Sequence, residues 1–298
     1  HCKSTYSYMR FGNTVDQPPG PLAREKVVFS AGRDAASVRG SAFVVAVLAG
    51  LIPSIVGLTG TSAHAEFEIP EVDAEKGAFE AEYRGASHWG LPPREEDDES
   101  DLLRQSHELE LQYGLTDWWM LRLTPNFEEP DGGSFQFTSV GVETQFVFIP
   151  RHGGEFGAAL MLGYGPYSQS LNEDAPDEFE FGPVVEYAPG PWLLSLNPRL
   201  ATDVGEDADR DGWGFEYAAQ LRYQFGPRLG AAVLGFGEIE ELAQSGPFNE
   251  QIHVLGPSLY VFSDPEGERE WLFGAGMLFG LTNASANSAV RITLAVEY

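Results

Sequence analysis

A single cysteine, Cys2, stands in the chain, which excludes an intramolecular disulfide and a cysteine-ligated metal cluster. Lysine is nearly as scarce, at Lys3, Lys26 and Lys76, and 18 basic residues face 45 acidic ones for a formal charge of −27. That balance lacks the basic surface a nucleic acid requires. No G-x-S-x-G sequence occurs. His253 and Ser258 fall on opposite faces of one alternating segment, and His88 and His107 are read as facing the interior or its rim. An outer-membrane lipid hydrolase, which needs a nucleophile and a base together, therefore has no constellation behind it, and the chain is read as non-enzymatic.

One long apolar run interrupts this polar composition. Residues 41–65, SAFVVAVLAGLIPSIVGLTGTSAHA, follow Arg33 and Arg39 and end in Ala63-His64-Ala65. A basic flank, an apolar stretch and an A-x-A site describe a secretory signal peptide, and Pro53 with Gly50, Gly57 and Gly60 argues against a spanning helix. Residues 1–40 are then a disordered or mis-called extension. Cleavage after Ala65 removes six basic and three acidic residues and leaves the exported chain near −30. Residues 66–75 form a short acidic lead, expected in the periplasm, and residues 76–298 the folded unit.

What the chain has in quantity is Gly (34), Phe (20) and Tyr (11), with 6 Trp, in segments that alternate with period two. From Ala289 to Tyr298, Val290, Ile292, Leu294, Val296 and Tyr298 share one face against Arg291, Thr293 and Glu297. Such alternation is a strand signature. Between 213 and 225, Trp213, Phe215, Tyr217, Leu221, Tyr223 and Phe225 oppose Glu216, Gln220, Arg222 and Gln224. Twelve such segments can be counted from Lys76 onward. In the fourth, Val147 falls on the polar face, and segments nine to eleven (229–239, 252–262 and 271–281) are apolar on both faces.

The connections alternate too. Links after even-numbered segments are short, such as Leu115-Thr116-Asp117 and Gly226-Pro227, whereas most after odd-numbered ones are longer and acidic, such as 91–103 and 201–211. Short turns at one end, long loops at the other and an even strand count are the build of an all-β, antiparallel transmembrane barrel with its termini in the periplasm of a Gram-negative cell. Aromatics near segment ends, Trp89, Tyr113, Trp119, Tyr187, Trp192, Trp271 and Tyr298 among them, suit the lipid–water interface. The apolar faces then meet lipid and the polar faces the lumen, placing the chain in the outer membrane with lipid and lipopolysaccharide as its surroundings.

The polar faces carry the candidate site. Glu80, Glu82, Arg84, Glu108, Glu110, Arg122, Glu143, Glu180, Glu186, Arg199, Glu216, Arg222, Arg291 and Glu297 are expected to line the lumen. With Glu238 they make ten carboxylates against five guanidinium groups, a net negative path that concentrates cations. The competing reading is that the same groups pair into a plug. In the loop before segment eight, Asp207, Asp209 and Asp211 followed by Gly212 have the spacing of a calcium loop, but Ala218 stands where the closing glutamate belongs. No cofactor is implied beyond a Ca²⁺ at that extracellular loop.

The stretch from His107 to Trp118, HELELQYGLTDW, leading into a further alternating segment, resembles a hairpin of the MetA-pathway phenol-degradation channel family. The resemblance covers two strands well and the rest through strand pattern. It implies an outer-membrane barrel passing small, often aromatic, compounds. The sequence thus points to a porin-like channel for small solutes, weakly cation-preferring, with a closed structural or surface-binding barrel as the alternative.

Overall fold

The computed structural model describes residues 67–92, 103–151, 154–165, 177–205, 212–263 and 270–298. The expectations for residues 1–40, for the 41–65 signal peptide and for Asp207, Asp209 and Asp211 lie outside the described residues. Twelve strands follow one another: β1 (Phe79–Trp89), β2 (Leu103–Thr116), β3 (Trp119–Pro130), β4 (Gln136–Ile149), β5 (Phe156–Gly165), β6 (Asp177–Tyr187), β7 (Trp192–Val204), β8 (Gly214–Gly226), β9 (Leu229–Ile239), β10 (Ile252–Phe262), β11 (Glu270–Gly280) and β12 (Ser288–Glu297). Each pairs antiparallel with its neighbours, and β1 pairs with β12 from Glu80↔Glu297 to Trp89↔Ser288, closing the barrel. Closure leaves no open sheet edge, as a sheet in hydrocarbon requires.

The two faces of the wall invert the order of a soluble protein. Along β3, Leu121 and Leu123 are 40% and 43% exposed, while Met120, Arg122 and Thr124 between them are buried. Along β8, Leu221 is exposed and Gln220 and Arg222 are buried. Apolar groups outward and charged groups inward is stable only where the outside is lipid. The chain is a transmembrane β-barrel of the outer membrane.

Aromatics crowd the short-turn end, where Trp192 and Tyr223 stand 4.8 Å apart and Trp119 stacks on Phe146 at 6.0 Å. Their rings can straddle apolar and wet layers there. Paired strands run in constant register except at a few points. Between β6 and β7, pairing stops after Phe181↔Leu200 and resumes at Val185↔Leu196, which sets Pro183 opposite Pro198. Neither proline has an N–H for the ladder.

Both apolar interior patches explain where alternation failed in the sequence. The inner faces of β8–β12 bring Ala218, Ala232, Leu234, Phe236, Val254, Tyr260, Leu278 and Ala289 into one cluster. Segments nine to eleven read as apolar on both faces because both faces are. Val147 turns inward to join Val72, Ala74, Met120, Ala159, Met161 and Val184 in a second cluster. Two of those residues, Val72 and Ala74, belong to no strand.

Candidate functional site

The wall positions its charged groups by parity. Arg84 on β1 faces Glu108 and Glu110 on β2, with Nε 2.8 Å from Glu108 Oε2 and Nη1 2.9 Å from Glu110 Oε2, and Glu82 lies 3.3 Å from the same Nη1. Arg122 on β3 continues the chain of pairs, its Nε 3.3 Å from Glu110 Oε1 and its Nη1 3.2 Å from Glu143 Oε2 on β4. Farther round, Arg199 on β7 meets Glu180 of β6 at 3.4 Å and Glu216 of β8 at 3.1 Å. All three arginines are buried. Charges this deep persist only when paired, because the desolvation of each ion must be offset by a close partner.

The expected lumen set is placed on the inner face, and most of it is brought together. Five further members lie elsewhere on the inner face. Glu186 accepts from Arg151 Nε at 2.7 Å near the short-turn end. Glu80 and Glu297 face each other across the β1–β12 seam. Arg222 lies over the rings of Tyr260 and Phe262, 5.6 and 5.2 Å from their centres. Arg291 Nε donates to the carbonyl of Phe67 at 2.9 Å.

That last contact introduces what the sequence reading missed. Residues 67–75, expected as a periplasmic lead, lie inside the barrel. Glu68 is 2% exposed and bridges the two halves of the network, its Oε1 3.1 Å from Arg122 Nη1 and its Oε2 3.2 Å from Arg199 Nη1. Gln145 Nε2 donates to the carbonyls of Glu71 and Asp73 at 3.0 and 3.1 Å, and Asn197 Nδ2 to that of Pro70 at 3.1 Å. In each of these contacts the wall donates and the segment accepts. On the other side Phe67 stands 5.0 Å from the Phe236 ring and packs with Ile69 against the β8–β12 cluster.

The physical reason for the correction is in the segment itself. Phe67, Ile69 and Val72 are apolar groups with no sink in the periplasm, and the barrel supplies one. Entry is tight at the short-turn end, where a Cβ on Gly114 would overlap the Glu75 carbonyl oxygen. A glycine is the residue that lets one backbone approach another so closely. The signal that could have found this was the apolar spacing within an acidic lead, together with Val147 on a polar face.

The histidines need a second correction. His88 does face inward, 5.6 Å from the Phe67 ring. His107 faces lipid, because it lies two residues from outward-facing Leu109, and its Nδ1 is 2.6 Å from the Tyr83 hydroxyl. A similar pair forms between Tyr217 and His253 at 3.0 Å, with Phe248 stacked on the imidazole at 4.5 Å. Ser258 lies on the inner face, its hydroxyl donating to the Ala275 carbonyl at 3.2 Å.

An antiparallel barrel with a lipid-facing apolar belt and a charged interior defines an outer-membrane β-barrel. No family model matches the chain, and no curated protein matches it. Solved structures do. The COG4313 outer membrane channel from Pseudomonas putida superposes with a TM-score of 0.50 at 13% identity, over 80% of this chain and 100% of that one. The Acinetobacter baumannii outer membrane protein Omp33 does so with a TM-score of 0.40 at 9% identity, over 76% and 99%. The likeness is one of fold, and the resemblance to the phenol-degradation family rests on the 107–118 hairpin and the strand pattern alone.

Proposed function

We infer that this protein is an outer-membrane channel for small solutes whose path is closed at rest by its own segment 67–75. One observation carries the reading: the occupant of the lumen lies outside the strand ladder and is held by polar contacts that run from wall side chains to segment acceptors, beside apolar packing at Phe67, Ile69 and Val72. Water or a passing solute can replace each of the polar contacts, and an apolar solute the packing, so the segment is displaceable in a way a strand of the wall is not. The excess of interior carboxylates over guanidinium groups supports a weak cation preference once the path opens. The apolar β8–β12 wall and the hairpin resemblance support cargo with an apolar or aromatic body. The Ca²⁺ reading of Asp207, Asp209 and Asp211 is kept as part of the same proposal. Catalysis is no part of it.

A disulfide across the segment and the wall tests this directly. A Cβ on residue 157 would lie 3.3 Å from the Cβ of Val72, close to the spacing a disulfide takes. The Val72→Cys/Gly157→Cys protein is expected to be silent in planar bilayers when oxidised and to give discrete steps, with a cation-directed reversal potential, when reduced. Equal conductance in the two states defeats the displaceable segment. The second reading, a closed structural or surface-binding barrel, is favoured by the ion pairs that each of Arg84, Arg122 and Arg199 makes inside the barrel. It predicts a heat-modifiable barrel that stays silent in both states.

A further inference from the structure

Glu68 is held in a setting that a structural ion pair does not need. Its two oxygens are split between guanidinium groups from β3 and β7, strands that are not neighbours in the wall. Its chain neighbours Phe67 and Ile69 lie against the β8–β12 cluster. The tripeptide thus presents one carboxylate to a pair of arginines and an apolar body to an apolar surface. The clamp also has donors to spare: among the described residues Arg199 Nε and Arg291 Nη1 have no hydrogen-bond partner, although both side chains are more than nine-tenths buried and both already touch the segment.

We propose that Arg122 and Arg199, with the apolar wall beside them, form a binding site for small carboxylates that carry an apolar body, and that Phe67 and Glu68 occupy it as an internal competitor. The proposal rests on the reading that segment 67–75 can be displaced. Exchange of Glu68 for a free carboxylate leaves the charge of the network unchanged, so the ligand enters without a new counter-charge. A cation of the same size would meet two guanidinium groups. A neutral alcohol would accept weaker hydrogen bonds than a carboxylate, since ionised acceptors bind roughly twice as strongly. Two arginines from separate strands also fix the direction in which the carboxylate points, so the apolar body is turned toward Phe236 and Leu234. The net negative remainder of the lumen repels carboxylates elsewhere along the path, which confines them to this point.

Benzoate is a suitable probe, titrated calorimetrically into the full chain in detergent, with benzyl alcohol as the neutral match. Glu68→Ala is expected to bind benzoate about tenfold tighter than the unsubstituted protein, and addition of Arg199→Gln to remove about that much again, while benzyl alcohol follows neither change. Equal benzoate affinity with and without Glu68 overturns the site. A gain shared by benzyl alcohol overturns it as well, leaving an apolar cavity only, and so does binding that survives Arg199→Gln.

The Val72→Cys/Gly157→Cys protein carries the same test with Glu68 and both arginines intact. Benzoate bound by the reduced form and refused by the oxidised form supports the competitor, and equal binding defeats it. Failure here is distinguishable from failure of the channel reading. A reduced protein that conducts but ignores benzoate keeps the channel and loses the site. One that binds benzoate but never conducts keeps the site and loses the channel.

Discussion

The barrel interior has two walls of opposite chemistry. On β1–β4 and β6–β8 the inner face carries paired arginines and glutamates, from Arg84 to Arg199 and Glu216, with a smaller apolar cluster around Met120 and Met161, whereas on β9–β11 it is Leu234, Phe236, Val254, Tyr260 and Leu278. Both are buried, yet they gain that burial differently. Charged groups offset desolvation only through specific partners at set distances, so each side chain depends on its neighbours. Apolar groups need contact and little direction, so each contributes nearly by itself. The segment between the walls reads both, with Glu68 on one side and Phe67 and Ile69 on the other.

The contrast is broken most severely at Arg122. Its replacement by Met takes the guanidinium from Glu143 and one of two from Glu68 and Glu110, and loss of one partner from a buried pair costs about 3–5 kcal/mol. The temperature at which the folded band disappears on a heat-modifiability gel is expected to fall sharply. If the wall is a coupled network, adding Glu110→Leu and Glu143→Leu to Arg122→Met restores much of that loss. A triple variant as unstable as the single one would show that the pairs act independently.

The apolar wall should respond less and more simply. Leu234, with no exposed surface, is expected to cost about 3 kcal/mol on replacement by Ala, from lost contact and the cavity left behind. Urea unfolding followed by tryptophan fluorescence measures it. The same change at Leu221, which faces lipid, is expected to cost less, because lipid fills the space left and only the transfer from water of the removed groups is lost, without the cavity. Comparable losses at the two positions would mean that the assignment of inner and outer faces is wrong.

These walls also decide what could be read from the chain. Where the inside is charged, as along β1, β2 and β8, alternation marks each residue's face, and the strand limits fall within a few residues of the sequence reading. Where the inside is apolar, alternation disappears although the strand remains. The inward parity of Arg84, Arg122 and Arg199 was legible for the same reason, since they oppose plainly apolar neighbours. Segment 67–75 was not, because it contacts the wall through its side chains and carbonyl oxygens and lies outside the ladder, and neither leaves a period-two trace. Glu68 looks in sequence like one more acid in an acidic lead. Its partners lie 54 and 131 residues away, a pairing that only barrel closure brings about.

The smallest expected effect is the most informative about how the walls share the segment. Phe67→Ala removes the ring that stands 5.0 Å from Phe236 and 5.6 Å from His88. Aromatic pairs of this kind contribute about 0.5–1.5 kcal/mol beyond their buried area, so the barrel itself should unfold nearly as before. The change falls on the seating of the segment, read as the closed fraction of time in single-channel records. Glu68→Gln keeps the shape and removes the charge, releasing the segment from the other wall. If the two walls hold it independently, the double variant opens by the product of the two single effects, because independent contacts add in free energy. A double variant no more open than Glu68→Gln alone would mean that the ion pairs do the holding and that the apolar wall receives Phe67 only once they are made.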